Sequence, residues 1–190
     1  NEEENIVPLA EEIIAALNNL PGGFELILVD DASTDATKRT IEQFKHDKVR
    51  AVFHRINCGQ SAAVGSGFHA ARGEWVATLD GDGQNDPADL PAMLELAIKE
   101  GVDCVTGVRA KRQDTFIRRF SSRTANGFRN WITGDQVSDS GCGIRVVRRA
   151  VLHEIPVFNG MHRFLPTLLR GQGFTVKEAD VNHRERLRGT

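Results

Sequence analysis

Four short strand-like runs, each followed by a stretch with helical or turn character, constrain this chain more than any other feature. They are residues 26–29 (Leu-Ile-Leu-Val), 49–53, 75–79 and 102–106. Between them, residues 36–44, 59–71 (rich in small residues) and 87–99 read as helices, and Ser33-Thr34-Asp35 and Pro87 stand where helices start. A leading helix is expected over residues 6–20, because Ile6, Leu9, Ala10, Ile13, Ile14 and Leu17 recur on one face until Pro21-Gly22-Gly23 stops them. Such alternation implies right-handed crossovers and a Rossmann-like, mostly parallel sheet flanked by helices on both faces. Beyond Gly107 the pattern loosens into a basic helical stretch over residues 117–131, a Gly-rich turn at residues 140–143, a helix over residues 163–170 and a last strand over residues 174–181. No second core, repeat or linker is visible, so residues 1–190 read as one α/β domain.

In sheets of this kind ligands bind beyond the carboxyl ends of the strands. Both acidic groups fall there: Asp30-Asp31 after the first run, and Asp80-Gly81-Asp82-Gly83-Gln84 after the third. In an extended segment residues two apart share a side, so Asp80 and Asp82 can converge on one ligand. Crowded carboxylates repel unless a cation lies between them. Hard oxygen donors without adjacent His or Cys suit Mg2+ or Mn2+, with Asp80, Asp82 and Gln84 as the metal group. An EF-hand is excluded, since Asn85 and Pro91 stand where its turn Gly and bidentate Glu would be. Asp and Gly also form ordinary turns, which is the plain alternative for this segment.

Composition narrows the function classes. With 190 residues, 40% of them hydrophobic, a core needs no staples. Cys58, Cys104 and Cys142 are widely spaced and lack a Cys-x-x-Cys pattern, which points to reduced thiols, a cytoplasmic setting and no structural zinc. A net charge of -2 argues against nucleic acid as a partner. No apolar run approaches the roughly 20 residues of a spanning helix. The abrupt start at Asn1 leads us to expect a piece of something longer. Arginines gather in the second half, among them Arg109, Arg118, Arg119, Arg123 and Arg186, where anionic ligands would find partners. Arg118 and Ser122 are four apart and would share a helix face able to hold one phosphate. Asp139 precedes the Gly-rich turn. The histidines show no sequence pairing with Ser or Cys of a nucleophilic kind, and Ser61 lacks nucleophile-elbow spacing. No Gly-rich phosphate loop supports a Rossmann cofactor.

Taken in order, Asn1-Glu2-Glu3-Glu4-Asn5-Ile6, Val29-Asp30-Asp31-Ala32-Ser33-Thr34-Asp35, Asn57-Cys58-Gly59-Gln60, Asp80-Gly81-Asp82-Gly83-Gln84, Gly107-Val108-Arg109, Asp139-Ser140-Gly141-Cys142-Gly143 and His183-Arg184-Glu185-Arg186-Leu187-Arg188-Gly189 resemble the family-two GT-A glycosyltransferases. The likeness is greatest to the polyprenyl-phosphate, dolichyl-phosphate mannosyltransferase-like group. It implies a GT-A fold and an inverting, metal-dependent transfer of a sugar from a UDP- or GDP-sugar to a polyprenyl phosphate at the cytoplasmic membrane face. By the same resemblance Glu2 and Asp31 are nucleotide contacts, Asp80 a ribose or metal contact, and Asp82 with Gln84 the metal and diphosphate site. Arg109, Arg118 and Ser122 match the acceptor-phosphate cradle, Arg186 the late Arg facing both phosphates, and Asp139 an acidic position near the reaction centre. A phosphate monoester is largely dianionic at neutral pH, so such a reaction dispenses with a strong base. Departures are the family's first strand before Asn-Glu, the Ser-Lys after the late Gly, and any C-terminal membrane region, none of which this stretch contains. The rival readings are a GT-A transferase acting on a sugar hydroxyl in polysaccharide or lipopolysaccharide synthesis, and a non-catalytic nucleotide-binding fragment.

Overall fold

The computed structural model describes residues 1–109, 139 and 141–185. Along these run α1 (Ile6–Leu17), β1 (Leu26–Asp30), α2 (Thr37–Gln43), β2 (Val49–Phe53), α3 (Gln60–Ala70), β3 (Trp75–Thr78), a 3-10 turn (Pro87–Asp89) leading into α4 (Leu90–Glu100), β4 (Cys104–Arg109), β5 (Arg145–Arg148), α5 (Arg149–Leu152), α6 (Met161–Gly171) and β6 (Val176–Val181). The basic helix expected over residues 117–131 lies outside the described residues. None of the helices described is long and apolar enough to cross a membrane.

The expected α/β layering is present, but the sheet is mixed rather than mostly parallel. β1 pairs with β2 in parallel, in a two-stranded sheet. A second sheet has the order β3-β5-β4-β6, in which β5 runs antiparallel to both neighbours while β4 and β6 are parallel. The cause is β5, a strand absent from the sequence reading. Its four residues follow the Gly-rich turn and carry an arginine at their head, so the run Ile144-Arg145-Val146-Val147 has neither length nor clean apolar character. Pairing supplies what pattern does not: Val76, Val147 and Cys104 lie in one cross-strand row, and Thr78, Arg145 and Thr106 in the next row but one.

Alternation along these strands divides the core in two. One face gathers Val76, Cys104 and Val147 beneath Met161, Leu165 and Leu169, the buried stripe of α6, with Val64 and Phe68 of α3 packed against it. The other gathers Val105, Val146, Ile144 and Val181 beneath Leu90, Met93 and Ala97 of α4, with Leu17 of α1 at its margin. Arg145 and Thr78 share the α6 face with Val147 and Val76, two residues along. That placement sets a buried arginine beneath the segment that follows β3.

The turn after β1 is strained at one residue. Ala32 has φ 57, a left-handed conformation, while Asp30 accepts the Ser33 N–H across it at 3.2 Å. A side chain at such a φ costs about 1–2 kcal/mol, and glycine gives back about 0.4–1 kcal/mol through the unfolded chain. Ala32→Gly is therefore expected to stabilise the domain by roughly 0.5–1 kcal/mol. Urea unfolding checks this: the midpoint should rise at unchanged slope, and a fall would show that the turn carries no strain.

Candidate active site

β3 ends at Thr78, and the chain enters the acidic loop two residues later. Thr78 Oγ1 donates to the Gly143 carbonyl at 2.9 Å, which closes the loop before β5 over the end of β3. The Asp80 carboxylate rests on Gly143 so closely that a Cβ there would fall on it. Gln60 Nε2, at the start of α3, donates to Asp80 Oδ1 at 2.8 Å. Asp82 turns its Oδ1 to the Gln84 N–H at 3.1 Å. Burial, reinforced by the negative charge of Asp82, pushes the Asp80 carboxyl above the usual carboxylate range, against the pull of Arg145, His162 and Gln60. A carboxylate whose proton affinity is raised by burial and by a neighbouring acid, over a backbone floor cleared of side chain, fits a hard divalent cation; Asp80, Asp82 and Gln84 are the residues that would hold it.

Asp31, expected as a nucleotide contact, is engaged in shaping its own loop. It accepts the N–H groups of Cys58 at 2.9 Å and Gly59 at 2.7 Å, and pairs with His54 Nδ1 at 2.7 Å. Burial would raise its pKa, but the bonds from Cys58, His54 and Gly59 together outweigh it and hold the carboxyl below the usual range. His54 Nε2 in turn meets Ser66 Oγ at 2.8 Å. The ligating atoms of Asp31, His54 and Cys58 lie within 4.8 Å of one another, a grouping in which Asp31 bonds both His54 and the Cys58 N–H. Glu2 is strapped alongside: its N–H donates to Thr37 Oγ1 at 2.8 Å, its carboxylate accepts from Asn5 Nδ2 at 2.6 Å, and its Cγ lies beside Gly81. Glu2, Asp31 and Asp80 thus converge from three separate stretches of sequence.

Arg109 and Asp139 also meet. The guanidinium forks onto the carboxylate, Nε at 2.6 Å and Nη2 at 2.8 Å, and the Gly141 N–H joins at 3.2 Å. Asp139 is 5% exposed, so this pair anchors the end of β4 to the turn before β5. Arg118, Ser122 and Arg186 lie outside the described residues. Of the late basic group, Arg184 is held by Glu12 at 2.6 Å and Asp86 at 2.8 Å, and its N–H donates to the Gln84 carbonyl at 2.8 Å, so this segment is stitched to the acidic loop.

Several site residues escaped the sequence reading. Gln60 belongs to a quoted motif but had no partner assigned; Arg145 hid in the unrecognised β5. The histidines correct the reading more sharply, because His54 pairs with Asp31 and Ser66, and His162 Nδ1 meets Ser61 Oγ at 2.8 Å. Ser61 and His162 are 101 residues apart, beyond any spacing rule. Burial, then the nearby Arg163 and Arg145, lower the His162 pKa against the opposing charge of Asp80.

The parallel pair β1-β2 and the four-stranded mixed sheet, with acidic loops at the ends of β1 and β3, define an α/β domain of the GT-A type. The glucosyl-3-phosphoglycerate synthase of Mycobacterium tuberculosis, solved with Mn2+ and UDP-glucose, superposes with TM-score 0.71 at 21% identity, covering 100% of this chain and 69% of that one. The same enzyme solved with phosphoglyceric acid gives TM-score 0.72 at 21% identity, covering 100% and 70%. The sequence matches the Glycosyl transferase family 2 model over residues 1–156, and the chain belongs to that family. Its curated relatives include the dodecaprenyl-phosphate galacturonate synthase of Rhizobium johnstonii, 37% identical over 195 residues. Another is the undecaprenyl-phosphate 4-deoxy-4-formamido-L-arabinose transferase of Pectobacterium carotovorum, 36% identical over 193 residues. Both names are those of polyprenyl-phosphate sugar transferases, the group the motifs resemble. The matches take in 100% of this chain but 58% and 59% of those proteins.

Gly143→Ala tests the floor of the acidic loop. The added methyl must displace Asp80, so Mn2+ affinity should fall by about tenfold or more while the fold survives, the site lying at a strand end. Calorimetric Mn2+ titration of wild type and variant decides; unchanged affinity would mean that Asp80 is not positioned by Gly143.

Proposed function

We propose that the protein containing this chain is a metal-dependent, inverting glycosyltransferase that moves a sugar from a UDP- or GDP-sugar to a polyprenyl phosphate at the cytoplasmic face of a membrane. The observation that carries the reading is the crowded pair Asp80 and Asp82, with Asp80 on a side-chain-free floor and with Glu2 and Asp31 nearby. The names of the relatives, over the whole of this chain, supply the acceptor class.

In this reading Glu2 and Asp31 hold the nucleoside end of the donor. Asp31 is kept ionised by the N–H groups of Cys58 and Gly59, so it presents an acceptor to ribose hydroxyls or a base N–H. Asp80, Asp82 and Gln84 would hold Mg2+ or Mn2+ for the diphosphate. That ion, when bound, neutralises the diphosphate and makes it a better leaving group. Arg109, Arg118, Ser122 and Arg186 receive the acceptor phosphate, whose dianion attacks the anomeric carbon in line while the arginines offset the repulsion between two anionic substrates. A strong general base is not required. Asp139 is a poor candidate for one, because Arg109 engages both its oxygens; its role here is to aim Arg109. The same pairing weighs against a sugar-hydroxyl acceptor, which would need a base.

The test uses the full-length parent, radiolabelled UDP- and GDP-sugars, divalent metal and polyprenyl phosphate. A chloroform-soluble product should form, vanish in EDTA and drop by about a hundredfold or more in Asp82→Ala. Arg118→Ala should raise the acceptor KM by roughly tenfold, the scale of one charge-assisted hydrogen bond, with donor affinity unchanged. A water-soluble glycan product would favour the hydroxyl-acceptor enzyme, and nucleotide binding without any product would favour a non-catalytic domain.

A further inference from the structure

The start of α3 reaches three groups with three consecutive residues. Gly59 donates its N–H to Asp31 Oδ2 at 2.7 Å, Gln60 donates its side-chain amide to Asp80 Oδ1 at 2.8 Å, and Ser61 Oγ meets His162 Nδ1 at 2.8 Å. Asp31, Asp80 and His162 are therefore gathered at one helix end, each bonded to a different one of these three residues. A donor whose nucleoside lies at Asp31 and whose diphosphate lies at Asp80 and Asp82 has one part left, its sugar, and the group remaining at this helix end, within electrostatic reach of Asp80, is His162.

Hydrogen-bond accounting fixes what His162 offers. Ser61 is 4% exposed, and its Oγ already accepts the Gly160 N–H at 3.0 Å. Its single hydroxyl proton has one acceptor within reach among the described residues, His162 Nδ1. A neutral imidazole that accepts at Nδ1 carries its proton on Nε2. That Nε2–H has no hydrogen-bond partner among the described residues, and His162 stands half-buried within electrostatic reach of Asp80 and Arg145. An uncharged donor, locked in orientation from behind and placed near Asp80, suits the oxygen of a sugar hydroxyl.

We infer that Ser61 and His162 form a subsite for the transferred sugar, in which His162 Nε2–H donates to a ring substituent and Ser61 holds the imidazole in the required tautomer. The inference rests on the proposed donor reading and assigns two residues that it does not use. His162 touches the substrate; Ser61 is a positioning residue.

The experiment uses the full-length parent with Mn2+. Calorimetry compares UDP-glucose, UDP-galacturonate and GDP-mannose with the bare UDP and GDP, on wild type, His162→Ala, His162→Gln and Ser61→Ala, each checked for an unchanged melting temperature. For whichever sugar nucleotide wild type binds, His162→Ala should weaken binding about tenfold while the matching diphosphate stays within twofold. His162→Gln, which keeps an N–H donor and needs no tautomer, should recover at least half of that loss, and Ser61→Ala should fall between wild type and His162→Ala. Equal weakening of sugar nucleotide and bare diphosphate, or no weakening of either, overturns the subsite and leaves the donor reading standing. Failure of wild type to bind any of the five overturns both.

Discussion

Withdrawing one carboxylate from water beside another is electrostatically unfavourable, and much of this structure is arranged around that constraint. Asp80 is withdrawn from water and sits near Asp82, so its charged form is opposed twice. Gly143 leaves room for the carboxylate, Gln60 gives it a hydrogen bond, and Arg145 brings a buried positive charge from the strand beneath. That arginine is itself costly to bury, and the surrounding acids, Asp80 and Asp139 among them, oppose the loss of its charge. Each group is tolerable only because of the others. The central position of β5 follows from the same need: antiparallel between β3 and β4, it delivers Arg145 in register with Thr78, two residues before Asp80.

A second constraint gathers the site. Asp31 comes from the end of β1 and His162 from the start of α6, both meeting the first turn of α3, while Glu2, from the segment before α1, lies against Gly81 of the acidic loop. Small residues make the approach possible: Gly65 of α3 packs directly against Val157. The His54 bridge between Asp31 and Ser66 then fixes the loop at residues 57–59 to the body of the helix. A mobile surface loop could not place Gly59, Gln60 and Ser61 on three targets at once.

Much of this was legible in the residues. Apolar patterning and turn signals located α1, α2, α4, β1 to β4, α6 and β6 to within a few positions, and α3 was legible as a run of small residues opened by a glycine. The acidic loops were legible because they follow strands in a fold where strand ends carry ligands. What stayed hidden depended on partners distant in the chain. β5 is four residues long and headed by a charge whose counter-charges lie on other elements. Its antiparallel course made the sheet mixed, where regular alternation had implied a mostly parallel one. The pairing of Ser61 with His162 and of Arg109 with Asp139 likewise arises from tertiary approach, which no local spacing encodes. Arg109 reads in sequence as one more cation of a basic tract; in the fold it is the anchor of a buried acid.

The central claim is that Asp80 and Asp82 together hold a divalent cation against a nucleoside diphosphate. Anomalous diffraction from crystals grown with Mn2+ and UDP or GDP tests it most directly. A manganese peak about 2.2 Å from oxygens of both carboxylates and of the diphosphate is the expected result. A bound nucleotide with no metal between it and these side chains, or a peak held elsewhere on the protein, would contradict the account.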